Sequence, residues 1–428
     1  MKFASLKASS PDISFSGAIM QGLAPDGGLY FPSKIPQLDP AVIRELVGAS
    51  RHEVAFQMLN PYLSDEMTKA ELEAVISTAS NFETPIKTVG DRKVLELFHG
   101  PTLAFKDVGA RYLAGFMAHF SAKENKKATV LVATSGDTGG GIAQAFSGVE
   151  NINVVILFPK GRVSALQYEQ LTRSTDNVYS LEIDGSFDDC QAFVKQAFND
   201  QSLKDINLTS ANSINLGRLL PQSTYHGVVY SQLDQTNLRT VVPTGNLGNL
   251  TAGLLAMKMG IPINNFLAAN NKNDSVHRYL ETGNYEPSIS YNTMSNAMDV
   301  GAPNNLPRVE AIFDNEIEQI RRVVSSAVVS DKQTVETIKS VYEQYGYLLD
   351  PHTAVAWNAS EQLEAEKYQD VIVATASPLK FAEEIEAATG IKVDNSKELE
   401  KLRQLPSRLF QISKEYDMFK QYLMDEVK

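Results

Sequence analysis

From Val94 onward the chain alternates short β-branched runs with longer amphipathic stretches, and this alternation constrains the fold more than any other feature. Such a pattern is typical of βαβ units, in which helices connect the parallel strands of one sheet. The clearest strands are expected at residues 129–134, 154–158, 178–183, 240–243 and 371–375. The predicted fold class is therefore α/β with a parallel sheet.

Helical periodicity predicts helices between these strands, at residues 103–120, 188–198 and 334–345. Two further helical patterns occur before the first strand, at residues 39–59 and 65–79. We therefore expect three regions: a mainly helical N-terminal domain at residues 1–90, an α/β region at 91–390, and a helical tail at 391–428.

Charge and composition exclude several classes of function. A net charge of -12 opposes binding to nucleic acid or to an anionic membrane. No stretch reaches the roughly 18 apolar residues of a membrane span, and no apolar signal core follows Met1.

The single cysteine, Cys190, suits the cytoplasm. The histidines lack metal-ligand spacing, so no metal site is predicted, and the motifs of NTPases, serine hydrolases and dinucleotide-binding dehydrogenases are absent.

Lys106 is the first candidate for chemistry. It lies in HGPTLAFKD, residues 99–107, in the first turn of a predicted helix and among apolar residues. The helix dipole and partial burial both disfavour an ammonium there and so lower the pKa of the lysine. A neutral lysine is a good nucleophile toward carbonyl groups. The same stretch also fits a lysine that extends to water or pairs with Asp107.

Two glycine-containing loops each follow a predicted strand and precede a predicted helix. They are TSGDTGGG, residues 134–141, and PTGNLGN, residues 243–249. Free backbone N–H groups at such turns bind anions, and Gly245 and Gly248 are expected to allow close approach of a phosphate and a positive φ. Either loop alone also fits an ordinary βα turn. Together they indicate a ligand with two anionic groups, or a phosphorylated cofactor beside an anionic substrate.

A fourth stretch, VIVATASPLKF at residues 371–381, places the hydroxyls of Thr375 and Ser377 at the end of a late strand. A hydroxyl at that position can hydrogen-bond a ring nitrogen. It also fits an N-cap for the helix predicted near Pro378.

These four stretches, in this order, resemble the threonine synthases, a family of pyridoxal-phosphate enzymes, in the longer form found in many bacteria and fungi. Two more blocks extend the resemblance, GLAPDGGLYFP at residues 22–32 and SNAMDVGAPNNLPRVE at residues 295–310. The resemblance implies a doubly wound core of the tryptophan-synthase β-subunit type, known as fold type II, after an N-terminal helical domain. Two subdomains of this core would hold the site between them.

On the family pattern, Lys106 is the Schiff-base lysine that carries pyridoxal 5'-phosphate. Thr375 falls on the position that faces the pyridine nitrogen, and Asp137 lies near the cofactor ring. The loop that holds the cofactor phosphate matches Gly245, Asn246, Leu247, Gly248 and Asn249.

The family pattern also implies a substrate site and a reaction. Ser135 and Thr138 match residues near the substrate carboxylate, and Ser213, Asn215 and Arg218 match residues near the substrate phosphate. The implied reaction converts O-phosphohomoserine and water to threonine and phosphate.

Some questions stay open at this point. Relatives often carry an aspartate where Asn249 stands and a histidine where Ser377 stands, which leaves the bonding of the phosphate loop undetermined. One alternative function is a lyase that releases an oxo acid from a phosphorylated amino acid, and another is a non-catalytic homologue that binds cofactor or phosphoester. The expected partner is a small-molecule substrate, and both a monomer and a homodimer fit the sequence.

Overall fold

The computed structural model describes residues 1–134, 136–175, 177–363 and 368–427. The strands of this part of the chain are β1 Phe3–Ser5, β2 Tyr30–Pro32, β3 Ile86–Val89, β4 Arg92–Glu96, β5 Ala128–Ala133, β6 Ile152–Pro159, β7 Val178–Ile183, β8 Leu208–Ser210, β9 Leu238–Pro243, β10 Ile263–Asn270, β11 Val324–Val328, β12 Gln369–Ala374 and β13 Leu409–Ile412.

The α-helices of the same part are α1 Phe15–Gln21, α2 Pro40–Glu45, α3 Arg51–Leu63, α4 Lys69–Ala79, α5 Lys106–Glu124, α6 Asp137–Phe146, α7 Ala165–Thr172, α8 Phe187–Asn199, α9 Leu216–Leu219, α10 Ser223–Leu233, α11 Gly248–Lys258, α12 Ser275–Thr282, α13 Leu306–Ile312, α14 Ile317–Val323, α15 Asp331–Tyr345, α16 Pro351–Gln362, α17 Ala382–Thr389, α18 Ser396–Arg403 and α19 Tyr416–Tyr422. Short 3-10 helices lie at Gln201–Ile206, Leu220–Gln222, Asn296–Met298 and Pro378–Phe381, and a π-helical turn at Leu423–Val427.

Two mostly parallel sheets form the core. One has the order β13-β7-β6-β5-β8, and the other has the order β11-β10-β9-β12-β4-β3. Every residue of the inner strands β5 and β9 is buried, as expected where helices cover both sides of a parallel sheet. The predicted α/β class and the doubly wound core are confirmed.

The strand order reverses at one point in each sheet. β5 pairs with β6 on one side and with β8 on the other, while β9 pairs with β10 on one side and with β12 on the other. In open α/β sheets, ligands bind beyond the carboxyl ends of the strands at such reversal points. The loops that follow β5 and β9 are the two glycine-containing loops of the sequence.

Some predicted elements differ from the observed ones. The helix expected at residues 39–59 is two helices, α2 and α3, because Ser50 starts a new helix with a capping box completed by Glu53. The tail expected to be helical also contains β13, which pairs with β7 in the five-stranded sheet. β3 pairs with β4, so a strand joins the N-terminal region to the core. The division of the chain at residues 90 and 390 stays a prediction. Among the described residues, no helix has the length and apolar character needed to cross a membrane.

Candidate active site

The segment before α5 pairs with the segment after β12. The Phe105 N–H donates to the Thr375 carbonyl at 2.8 Å, and the Ser377 N–H donates to the Leu103 carbonyl at 3.0 Å. Leu103 has a φ of 59°, which costs free energy for a residue with a Cβ and is common near functional sites. These contacts fix Lys106, the first residue of α5, beside the end of β12.

Lys106 has a largely buried side chain and a free amine. Its Nζ lies 3.8 Å from Oδ2 of Asp137, and no acceptor among the described residues hydrogen-bonds it. Burial, opposed by the charge of Asp137 and aided by the charges of Arg218 and Lys380, lowers the pKa of Lys106 to about 8. The predicted lowering of this pKa is confirmed.

Asp137, at the start of α6, is a buried carboxylate with three neighbours. Gln167 Nε2 donates to its Oδ1 at 2.9 Å, Lys380 Nζ lies 3.1 Å from the same oxygen, and Oδ2 faces Lys106. Burial alone would raise the pKa of Asp137, but the two lysines outweigh it and hold the pKa well below its ordinary value. Asp137 is therefore ionised.

Lys380 is a site residue that the sequence analysis did not single out. It is completely buried on the 3-10 helix Pro378–Phe381, where its Nζ donates to the Thr102 carbonyl at 2.8 Å and to Gln170 Oε1 at 2.5 Å. With Asp137 as the third partner, all three N–H donors of the ammonium are used. Of the two lysines that share Asp137, only Lys106 has an amine free to react.

The loop at residues 243–249 presents a row of unused donors. Within the described part of the chain, none of the five backbone N–H groups of residues 245–249 donates to a protein acceptor. The loop leads directly into α11, whose first residue is Gly248. Consecutive free N–H groups at the N-terminus of a helix bind anions, so this donor set fits a phosphate group.

The two glycines of this loop have different surroundings. A Cβ at Gly245 would lie 2.9 Å from the Met298 Cα, so this position requires glycine, as expected. A Cβ at Gly248 would meet its nearest atoms at 3.6 and 3.7 Å, which is ordinary contact. The expected positive φ at these glycines is wrong, because Leu247 adopts it instead, with a φ of 60°.

The side chains of Asn249 and Asn305 hold the same loop in place by hydrogen bonds within the protein. Asn249 Nδ2 donates to the Pro243 carbonyl at 2.9 Å, and its Oδ1 accepts from Thr244 Oγ1 at 2.8 Å. The Asn246 carbonyl accepts from Asn305 Nδ2 at 2.9 Å. Because both side chains bond within the protein, they shape the loop while its N–H groups remain free for a ligand.

The loop after β5 holds the residues expected near the substrate carboxylate. Ser135 lies outside the described residues. Thr134 Oγ1 accepts from the N–H groups of Gly136 at 3.0 Å and Gly139 at 2.9 Å, which fixes the loop. Thr138, half-buried on the first turn of α6, donates its N–H to no acceptor among the described residues. Its N–H and hydroxyl are therefore available to a ligand.

Arg218 is a buried cation without a counter-ion. Its NH1 group donates to the Ala211 carbonyl at 2.9 Å, its Nε has no partner, and no carboxylate of the described residues forms an ion pair with it. Burial lowers the pKa of Arg218 to about 10. A buried charge with so few partners is costly, so an anionic ligand would be accommodated here.

Asn215 has a structural role that the sequence analysis missed. Its Nδ2 donates to the carbonyls of Ile19 at 2.9 Å and Ser210 at 2.8 Å, and its Oδ1 accepts from the Gly217 N–H as the N-cap of α9. Both N–H donors of the Asn215 side chain are used inside the protein, and its place near the substrate phosphate stays a prediction.

Ser213 lies beside the phosphate loop, since its Cβ would be 3.7 Å from a Cβ at Gly248. The backbone that carries it is held by Arg308, a second buried arginine that the sequence analysis missed. Arg308 donates to the carbonyls of Tyr30 and Ile214, both at 2.8 Å, and to Asn305 Oδ1 at 2.8 Å. It thereby ties the N-terminal region to the segment of Ser213 and, through Asn305, to the loop at residues 243–249.

Thr375 and Ser377 end the late strand as expected. Thr375 is buried, and its hydroxyl has no hydrogen-bond partner in the part of the chain that the structure describes. Ser377 Oγ accepts from the Leu379 N–H at 3.3 Å and caps the following 3-10 helix. The sequence left two roles open for these hydroxyls, an N-cap and a ligand contact. In the structure, Ser377 is the N-cap and Thr375 is available to a ligand.

Known proteins resemble this chain over its whole length. A model of pyridoxal-phosphate-dependent enzymes matches residues 94–377, and models of the threonine synthase N terminus and C-terminal region match residues 2–80 and 353–423. The threonine synthase of Haemophilus influenzae is 42% identical over 430 residues, covering 99% of this chain and 100% of the relative.

Solved structures agree with these matches. The crystal structure of threonine synthase from Escherichia coli has a TM-score of 0.92 and 40% identity, covering 99% of this chain and 100% of that one. A structure of threonine synthase from Brucella melitensis with pyridoxal phosphate bound has a TM-score of 0.94 and 35% identity, with both chains covered completely. With the fold, the lysine and the phosphate loop described above, these matches show that the chain belongs to the threonine synthase family of pyridoxal-phosphate-dependent enzymes.

Proposed function

We propose that this chain converts O-phosphohomoserine and water into threonine and phosphate, with pyridoxal 5'-phosphate carried on Lys106. The observation that carries this proposal is the free amine of Lys106, whose pKa is lowered to about 8 by burial, at the strand ends that also present the phosphate loop. The relative from Brucella melitensis was solved with the same cofactor, which supports the assignment.

The residues present fit the cofactor. The free N–H groups of residues 245–249 would hold its phosphate, Lys106 its carbonyl carbon, and the Thr375 hydroxyl its ring nitrogen. When bound, pyridoxal phosphate supplies an electron sink that stabilises negative charge next to the amino-bearing carbon of a substrate. Asp137 would lie near the ring, as the family pattern implies.

Lys106 would move the protons. Because burial lowers the pKa of Lys106 to about 8, the neutral amine is far more populated near physiological pH than that of an ordinary lysine. A base with a pKa near the working pH is the most effective in proton transfer. Lys106 Nζ would therefore remove the proton at Cα of the substrate and transfer protons at Cβ and Cγ as phosphate leaves and water adds at Cβ.

Arg218 would select the phosphorylated substrate. Its guanidinium has one neutral protein partner and an unpartnered Nε, so most of its donors are available to phosphate oxygens. The hydroxyl of Ser213 would add a donor beside it. Thr138 and Ser135 would bind the substrate carboxylate at the start of α6, where the helix dipole favours an anion. We place the reaction in the cytoplasm, where a buried free thiol such as Cys190 stays reduced.

The test is to incubate purified protein with O-phosphohomoserine and to quantify threonine, inorganic phosphate and 2-oxobutyrate. We expect threonine and phosphate in equal amounts, no turnover of homoserine, and no product from the Lys106→Ala variant. Release of 2-oxobutyrate in place of threonine would identify a phosphoamino-acid lyase. Absence of turnover with every phosphorylated amino acid would identify a non-catalytic homologue.

A further inference from the structure

Lys380 has no task in the reaction described above, yet it is bound more completely than the reactive lysine. Its ammonium is fully buried and makes three contacts, to Asp137 Oδ1 at 3.1 Å, to the Thr102 carbonyl at 2.8 Å and to Gln170 Oε1 at 2.5 Å. An ammonium without a free donor, and without access to water, does not act as a nucleophile or as a base. A fixed buried charge of this kind instead influences the charged groups beside it.

The helix α7 and its N-cap hold Lys380 and Asp137 together. α7 supplies Gln167, which donates to Asp137 Oδ1 at 2.9 Å, and Gln170, which accepts from Lys380 and donates to the Thr102 carbonyl at 3.1 Å. The N-cap of α7, Ser164, donates from Oγ to the Lys380 carbonyl at 2.9 Å. Both partners of the buried ion pair are thus held from the same helix.

The charged groups around the reactive amine come from four elements. Asp137 on α6, Arg218 on α9 and Lys380 on the 3-10 helix act on Lys106, and Asp107 follows it on α5. His352 on α16 also faces Asp137. The Nε2 of His352 lies 3.2 Å from the Ala297 N–H, and its Nδ1 lies 2.8 Å from Asp350 Oδ2.

We propose that Lys380 is a positioning residue for Lys106: it binds one oxygen of Asp137, directs the other toward Lys106, and neutralises the carboxylate so that it does not capture the reactive amine as an ion pair. This inference rests on the proposed role of Lys106. Two cations share one carboxylate, and the fully bonded Lys380 carries the charge that balances it. Lys106 is then free to lose its proton.

Removing the charge of Lys380 would leave Asp137 with Lys106 as its remaining lysine partner. Lys106 would be held more firmly as an ammonium, and its pKa would rise. The neutral amine would then dominate only at higher pH. Because this consequence concerns the titration of one amine, it is distinct from a general loss of stability or of turnover.

The experiment measures how fast the full-length protein, stripped of cofactor with hydroxylamine, takes up pyridoxal phosphate at different pH values. Capture needs the neutral amine, so the rate should rise with pH around a midpoint near 8 in the unaltered protein. In Lys380→Met the midpoint should rise by about one pH unit or more. Lys380→Arg keeps the charge and should return the midpoint toward 8. Lys160→Met makes the same chemical change at an exposed site and should leave the midpoint unchanged.

Borohydride reduction and peptide mass analysis complete the test. Cofactor mass on Lys106, with an unmoved midpoint in a folded Lys380→Met protein, would overturn this inference alone. Cofactor mass on a lysine other than Lys106 would overturn the proposed function of Lys106 and this inference with it. If Lys380→Met does not fold, the double variant Lys380→Met with Asp137→Asn removes both buried charges. Its midpoint should lie at or below that of the unaltered protein, and a raised midpoint would refute the role given to Asp137.

Discussion

Replacing Arg218 with methionine should abolish most of the selectivity for phosphorylated substrate while leaving the fold intact. Methionine fills much of the same volume but removes the guanidinium. Loss of one partner from a buried charged pair costs roughly 2 to 5 kcal/mol, so kcat/KM for O-phosphohomoserine should fall by about 30-fold or more. The cofactor should remain bound, because the phosphate loop at residues 245–249 belongs to another part of the site.

Measurements of Tm distinguish the loss of a substrate contact from a general loss of stability. The protein bond that Arg218 would lose, to the Ala211 carbonyl, contributes about 1 kcal/mol, and removal of an unpaired buried charge offsets that loss. Tm of Arg218→Met should therefore equal or exceed that of the unaltered protein. The matched control is Arg308→Met, at an arginine equally buried but bonded to Tyr30, Ile214 and Asn305. That variant should lower Tm, because it leaves buried carbonyls unsatisfied.

Inorganic phosphate provides a measurement that does not depend on turnover. A ligand that binds the folded state raises Tm in proportion to the logarithm of its concentration above Kd. Added phosphate should raise Tm of the cofactor-loaded protein and of Arg308→Met, but have little effect on Arg218→Met. A fall in kcat/KM of less than about threefold, or a phosphate response retained in Arg218→Met, would remove Arg218 from the substrate site.

Three further predictions concern the cofactor. Borohydride reduction should fix the cofactor mass on the peptide that contains Lys106, and Lys106→Ala should lose both this mass and activity; the mass on another peptide would refute the assignment. Gly245→Ala should raise the cofactor Kd by about tenfold or more, because its Cβ would meet the Met298 backbone at 2.9 Å, whereas Gly248→Ala should change it little. Equal effects in the two variants, measured by cofactor titration, would contradict this difference. Finally, cofactor capture by the stripped protein should slow as pH falls below about 8, because burial has lowered the pKa of Lys106 only to that value and the ammonium dominates at lower pH. Stopped-flow absorbance would measure this dependence, and a rate independent of pH between 6 and 9 would argue against a titrating Lys106 amine.

The ligand loops could be located from the sequence because they follow strands, and strand ends obey a simple rule. Apolar β-branched runs marked β5, β9 and β12, and the polar residues just after each run belong to the site. The apolar neighbours of Lys106 also indicated burial, and burial is the main cause of its lowered pKa. The local sequence pattern was therefore enough to predict a site residue wherever its role depends on the strand or helix to which it belongs.

Other roles depend on contacts between distant segments and could not be read locally. Lys380 follows Leu379 in a short segment where burial and exposure are equally plausible, and its partners, Thr102 and Gln170, lie more than two hundred residues earlier. Asn215 has two amide N–H donors that could contact a substrate, but the fold uses them to bind the carbonyls of Ile19 and Ser210. Residue type shows what a side chain can bind, and tertiary structure decides which partner it receives.

The distribution of buried charge explains why an acidic protein can bind an anionic cofactor and an anionic substrate together. The net charge of -12 repels phosphate at long range, but salt screens that repulsion over about 10 Å. Inside the site, Lys106, Lys380 and Arg218 face two buried carboxylates, Asp137 and Asp107, and burial raises the pKa of Asp107 to about 6. Cations therefore outnumber carboxylates here, and the ligand-free site carries positive charge at a cost in stability. Each bound phosphate would relieve part of that cost, so binding free energy would come from charges already buried by folding.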